Sequence, residues 1–179
     1  MLIKKEIPLL ENILGEWQDV IGDDYLAYKN HVYRVLHFCF ALADITEEDQ
    51  QKLIIAACFH DIGLWTDNTV DYLPPSVVKA NEYLTKIEKQ QWQTEITLII
   101  DMHHKIRIYN DPQYPLVELF RKADLIDFSL GLVKNGVSND VIQQLKINFP
   151  NAGFHKMLIK MQMRWLMKHP FNPFPILKW

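Results

Sequence analysis

Apolar residues recur along this chain at intervals of three and four, and no sustained two-residue alternation interrupts them. The pattern predicts an all-α protein. The spacing sets helices near 7–21, 26–43, 47–62, 76–88, 90–106, 114–131, 138–148 and 152–168. Thr46, with Asp49 three residues on, is placed to cap one helix, and Ser76 and Ser138 are placed to cap two later ones. Gly63 is positioned to stop the central helix, while Pro112, Pro115, Pro150 and Pro170 mark breaks. Two stretches lack the helical period. Leu64–Pro75 carries Trp65, Asp67 and Tyr72 and is expected to form a pocket wall or lid. The tail Pro170–Trp179 is expected to pack its aromatic residues on the body or across a dimer.

Against this pattern, four polar residues stand on faces that should be apolar. His60-Asp61 ends the run Leu53-Ile54-Ile55-Ala56-Ala57-Cys58-Phe59, which reads as a helix buried on most sides. His31 shares its face with Val35, Phe38 and Leu42, and Asp124 shares its own with Val117, Phe120 and Phe128. Taken singly, each has an ordinary explanation. A core histidine is commonly satisfied by a backbone carbonyl, and Asp124 has Arg121 three residues earlier as an ion-pair partner. Taken together, one divalent cation satisfies all four, because an unpaired polar or charged group is costly to bury. The end of a helix, where carbonyls are unsatisfied, favours positive charge as well. Imidazole nitrogens with carboxylate oxygens suit a first-row divalent metal better than calcium. Four protein ligands on an octahedral ion leave room for water and substrate, as at a catalytic centre.

Composition narrows the class. The 179 residues suit a single domain spanning 1–179, and 49% hydrophobic with 23% charged residues is ordinary for a globular protein. No apolar run reaches bilayer length, and charges at Lys4-Lys5-Glu6 fall where a secretory signal needs apolar residues. Cys39 and Cys58 lie in apolar helical segments without CxxC spacing. They read as buried thiols, and the expected location is the cytoplasm. The net charge of −3 hides an asymmetry. Residues 1–140 carry 13 basic and 22 acidic side chains, whereas 141–179 carry six basic ones and no acid. The body thus gives no reason to expect a nucleic-acid polymer as partner.

His31 in Lys29-Asn30-His31-Val32, the run His60-Asp61-Ile62-Gly63, and Asp124 in Lys122-Ala123-Asp124 resemble the metal motifs of the HD-domain superfamily of metal-dependent phosphohydrolases. The resemblance covers about residues 26–130, leaving C-terminal helices and an aromatic tail at 138–179. It implies a helical bundle holding one Mn, Fe, Co, Ni or Zn ion on His31, His60, Asp61 and Asp124. The implied activity is hydrolysis of a phosphate ester in a small metabolite or nucleotide. Two-metal members of the superfamily, including di-iron oxygenases, use extra histidines. One such ligand is expected near Ser76, yet no histidine occurs between Asp61 and His103. One metal is therefore favoured over an oxygenase or a related lyase, and the four intact metal positions count against a non-catalytic ligand-binding module.

Further residues fill in the expected chemistry. Ile96, Ile99 and Ile100 turn His103 inward, and His103 or His104 is read as touching the substrate phosphate or metal-bound water. Asp101 offers His104 a purely structural partner. Arg34 and Lys105 are the favoured phosphate-binding cations, ahead of Arg107 and Arg121-Lys122. Asp61 is assigned both metal ligation and water orientation. In the last helix Lys156, Lys160, Arg164 and Lys168 form a basic stripe beside Phe154, Leu158, Met161 and Trp165. The ordinary reading is a solvated face whose apolar side packs on the body, so no membrane is expected.

Overall fold

The structure is a computed structural model and describes residues 3–178, so Met1, Leu2 and the tail residue Trp179 lie outside the described residues. Among the described residues ten α-helices follow one another: α1 Pro8–Gly15, α2 Gln18–Ile21, α3 Tyr25–Leu42, α4 Glu47–Phe59, α5 Gly63–Thr66, α6 Leu73–Lys86, α7 Gln93–Met102, α8 Pro115–Phe128, α9 Asn139–Asn148 and α10 Phe154–Lys168. Short 3₁₀ turns precede α3 and α7. No strand forms among the described residues, and none of their helices is long and apolar enough to cross a membrane.

The helices pack around α3. From Ala27 to Cys39 every residue of α3 except Lys29 is buried, so this helix has almost no solvent face. It lies along α8 on one side and against α4 on another, while α7 bridges α4 and α8 and α6 covers α7. A single apolar cluster runs from Ile7 through these helices to Phe154. The Leu53–Phe59 run of α4 is buried throughout, as its composition predicts.

Several predicted boundaries shift. The first helix is two, because the chain turns at Glu16-Trp17 before α2. The helix expected over 90–106 stops at Met102, leaving His103-His104 in the turn that follows. Thr46 Oγ1 accepts the Asp49 N–H and Ser138 Oγ accepts that of Val141, so both are N-caps. Ser76 is not. It lies inside α6, whose first turn holds Pro74 and Pro75, and its buried Oγ accepts the Gly63 N–H at 2.9 Å.

Gly63 has a different job from the one predicted. It opens α5 rather than capping α4, and its φ is not left-handed. It is needed for space: a Cβ there would collide with the Tyr72 carbonyl oxygen and come within 2.8 Å of Pro75 Cγ. That approach holds the turn after Asp61 tight against the start of α6.

The C-terminal residues fold back, but not by packing the tail's aromatic side chains as expected: Phe171 is fully exposed and Phe174 is 55% exposed. Ile106 N–H donates to the Lys178 carbonyl at 2.8 Å, and Lys178 Nζ sits 2.9 Å from Asp101. Trp165 Nε1 donates to the Asn172 carbonyl, tying the tail to α10. Lys156, Lys160, Arg164 and Lys168 are all exposed, Phe154 is buried, and Leu158, Met161 and Trp165 are half-buried.

Candidate metal centre

Four of the predicted residues meet where α3, α8 and the end of α4 converge. His31 comes from the middle of α3, His60 and Asp61 from the turn after α4, and Asp124 from α8; each is at most 4% exposed. His31 Nε2 lies 3.0 Å from His60 Nε2, 3.6 Å from Asp61 Oδ2 and 3.5 Å from Asp124 Oδ1. His60 Nε2 lies 3.3 Å from the same Asp61 oxygen and 3.8 Å from Asp124 Oδ1. Asp124 has no ion pair with Arg121, which instead grips Glu118 through Nε and Nη2.

The hydrogen bonds behind these atoms decide what they can do. His60 Nδ1 bonds the Ala57 carbonyl at 2.8 Å, and His103 Nδ1 bonds the Ile100 carbonyl at 2.7 Å. A carbonyl only accepts, so each Nδ1 carries a proton and, in the neutral ring, each Nε2 presents a lone pair. His31 Nδ1 bonds Asp127 Oδ2 at 2.7 Å, and Arg34 bonds the same carboxylate through Nε and Nη2. Beside that guanidinium Asp127 is ionised and accepts, so His31 Nε2 is a lone pair as well. Burial lowers the His31 pKa to about 4, which keeps the imidazole neutral. Two imidazole lone pairs and two carboxyl groups therefore face one point with no N–H among them. Such a set is mutually repulsive when empty and fits a cation, with Nδ1 partners of the kind that orient metal-bound histidines.

A second group shares Asp61. Asp61, His103 and His104 also bring ligand atoms within 4.8 Å of one another, as do His31, His60 and Asp61. Asp61 Oδ1 and His103 Nε2 are both buried, lie 3.6 Å apart and have no hydrogen-bond partner. The protein thus aims an acceptor at an acceptor on each side of Asp61. Burial raises the Asp124 pKa to about 7.

Arg34 and His103 are not where a substrate contact requires them. Arg34 is 2% exposed, closed on Asp127, and donates to the Phe149 and Pro150 carbonyls. It positions other groups: it holds the carboxylate that orients His31 and, with Asn30, pins the linker that leads into α10. His103 lies behind Asp61, and His104 takes the front, lining a cavity of about 410 Å³ together with His31, Asp61 and Asp124. Burial, reinforced by His103, holds the His104 pKa well below 6.5. His104 bonds Tyr72 rather than Asp101: the Tyr72 hydroxyl is 2.6 Å from His104 Nε2. Burial, with Asp61 and Asp124 nearby, keeps that phenol protonated, so it donates. Of the predicted loop residues Tyr72 lines the cavity, Trp65 packs on Tyr28, and Asp67 is exposed. Lys105 is half-buried and its carbonyl accepts from Arg121; it is not among the residues that line the cavity.

Two residues escaped sequence reasoning. Asp127 lies three positions after Asp124 on the same face of α8, a spacing that signals a shared face. Phe154 stacks on the His31 ring at 4.2 Å between centroids and 16° between planes, and only the fold brings the two together. No curated protein and no solved structure matches the chain. The family model of the HD domain matches residues 28–129, a span that holds every side chain converging here except Phe154. That match covers more than half of the sequence and begins three residues before the first of the converging histidines, so the chain belongs to the HD domain family, whose members are commonly metal-dependent hydrolases.

Proposed function

We propose that this protein is a metal-dependent phosphohydrolase acting on a small phosphate ester. The observation that carries the reading is the convergence of His31 Nε2, His60 Nε2, Asp61 and Asp124 on one buried point. These four would hold a divalent transition metal. When bound, such an ion supplies Lewis acidity toward a phosphoryl oxygen and lowers the pKa of water. The remaining work falls to the chain. Asp127 and Arg34 lock the His31 ring. His104, backed by the Tyr72 hydroxyl, faces the cavity and is placed to hydrogen-bond the ester. As a neutral imidazole whose Nε2 accepts from Tyr72, it offers an Nδ1–H hydrogen bond to the ester rather than a fixed cation.

Metal analysis by mass spectrometry, on protein purified without chelator, tests the reading. Close to one transition metal per chain is expected, lost in Asp124→Ala and in Asp61→Ala with helical circular dichroism nearly unchanged. A phosphatase screen with that metal should then show turnover by the wild type alone. An Asp61→Ala protein that keeps stoichiometric metal, or a wild type that binds none after reconstitution, ends the assignment.

The trio Asp61, His103 and His104 favours one alternative: a two-metal centre with Asp61 shared, performing redox chemistry. Against it, Ser76 is committed to Gly63 and supplies no further ligand on that side. Two irons per chain with oxygen consumption would establish this second reading.

A further inference from the structure

The cavity in front of the centre has a chemistry of its own. Its polar groups are gathered at one end: His31, Asp61, Asp124, His104 and Tyr72. From there it is walled by Leu64, Val70 and Phe128, by α10 through Phe154, Leu158 and Met161, and by the tail through Phe174, Ile176 and Leu177. The single polar side chain on these walls is Gln162, whose amide nitrogen already donates to the Pro173 carbonyl. No lysine or arginine lines the cavity. Arg34 and Arg121 are committed to Asp127 and Glu118, Lys178 is paired with Asp101, and the basic stripe of α10 faces solvent.

We propose that the substrate is an amphiphile. One polar head reaches the metal centre and His104, and an uncharged alkyl or aryl body fills the cavity beneath α10 and the tail. The volume, about 410 Å³, lies within the ordinary range for small-molecule sites. A nucleoside or sugar body would leave its ring nitrogens and hydroxyls without partners along these walls, and burying unpaired polar groups is costly. A polyphosphate would find no side-chain cation beyond the centre. The head group rests on the phosphohydrolase reading; the body rests on the walls alone. For a phosphomonoester the reaction breaks the bond between phosphorus and the apolar alcohol's oxygen. Water's oxygen takes its place on phosphorus, and a proton passes to the departing alcohol.

Calorimetric titration of the metal-reconstituted protein with ethyl- to octylphosphonate, whose C–P bond resists hydrolysis, tests this. Each added methylene should tighten Kd by up to about fourfold, the ~0.8 kcal/mol that burying a CH₂ supplies. Octylphosphonate should also bind more tightly than adenosine monophosphate. Leu158→Glu and, independently, Ile176→Ser should flatten the series while leaving metal content unchanged. A Kd independent of chain length, or adenosine monophosphate binding as tightly as octylphosphonate, overturns the proposal. A parallel series of 1-alkanols separates the two readings. Length-dependent binding of alkanols with none of phosphonates keeps the apolar body and removes the phosphate head; no length dependence in either series removes the body.

Discussion

The metal centre and the roof of its cavity are built on opposite principles. At the centre the imidazoles are fixed in direction: three are locked by Nδ1 hydrogen bonds, and each converging side chain is at most 4% exposed. The roof, α10 with the tail, has a single fully buried residue in its helix, Phe154, while Ile159 is 65% exposed and Met163 54%. The centre is held by directional polar contacts inside a packed core, and the roof by apolar side chains lying over a cavity. Chemistry that requires lone pairs at fixed angles needs the first kind of support. Accommodation of an apolar body needs only the second, because burial of apolar surface has no direction.

The sharpest way to break this contrast is to attack the support of the centre. Arg34→Ala leaves Asp127 buried and uncompensated, and removing one partner of such a pair typically costs about 3–5 kcal/mol, read as a lower urea midpoint. Metal affinity should fall in parallel, by up to about 10–100-fold, since the Asp127 carboxylate that orients His31 loses the guanidinium that holds it.

Asp127→Asn probes the same support through pH. Burial alone would raise the Asp127 pKa, but hydrogen bonds from His31 and Arg34 hold it well below the normal carboxylate value. A depressed folded pKa means stability that is fully present above the unfolded value of about 3.9 and drains away as pH falls below it. Urea midpoints measured from neutral to acid pH should therefore fall more steeply for wild type than for the Asn variant, which is weaker at neutrality. Parallel profiles would show that Asp127 carries no such linkage.

Gly63→Ala forces a Cβ against the Tyr72 carbonyl and should cost about 1–3 kcal/mol, the usual range for overpacking. Because Tyr72 bears on His104, it should also weaken substrate turnover more than metal binding. The smallest effect belongs to the roof. Ile159→Ser, at a site largely open to water, should change stability by no more than about 0.5 kcal/mol in thermal unfolding. A loss several times larger would mean that the roof is as integral to the core as the centre.

The amino-acid sequence by itself determined the helices and the four converging side chains. Both are local signals: a 3.6-residue period declares which face is buried, and a histidine or aspartate on that face announces a need for a partner. Thr46 and Ser138 were legible as caps for the same reason, since a cap reaches only three residues along the chain. Tertiary structure decided the partners. Arg34 reads in the sequence as a cation for phosphate, and becomes a positioning residue only because α8 brings Asp127, 93 residues away, to its guanidinium. His103 is buried, as its face of the helix indicates, whereas His104 meets the cavity only because the fold sets the cavity walls against it. The apolar roof is likewise a product of the fold. The periodicity of α10 says that one face is apolar, but the hydrogen bonds of Arg34 and Asn30 to the Phe149-Pro150 linker lead α10 over the metal centre. Short-range periodicity encodes burial, whereas identity of contact depends on which helices lie side by side, and that is settled by packing of the whole core.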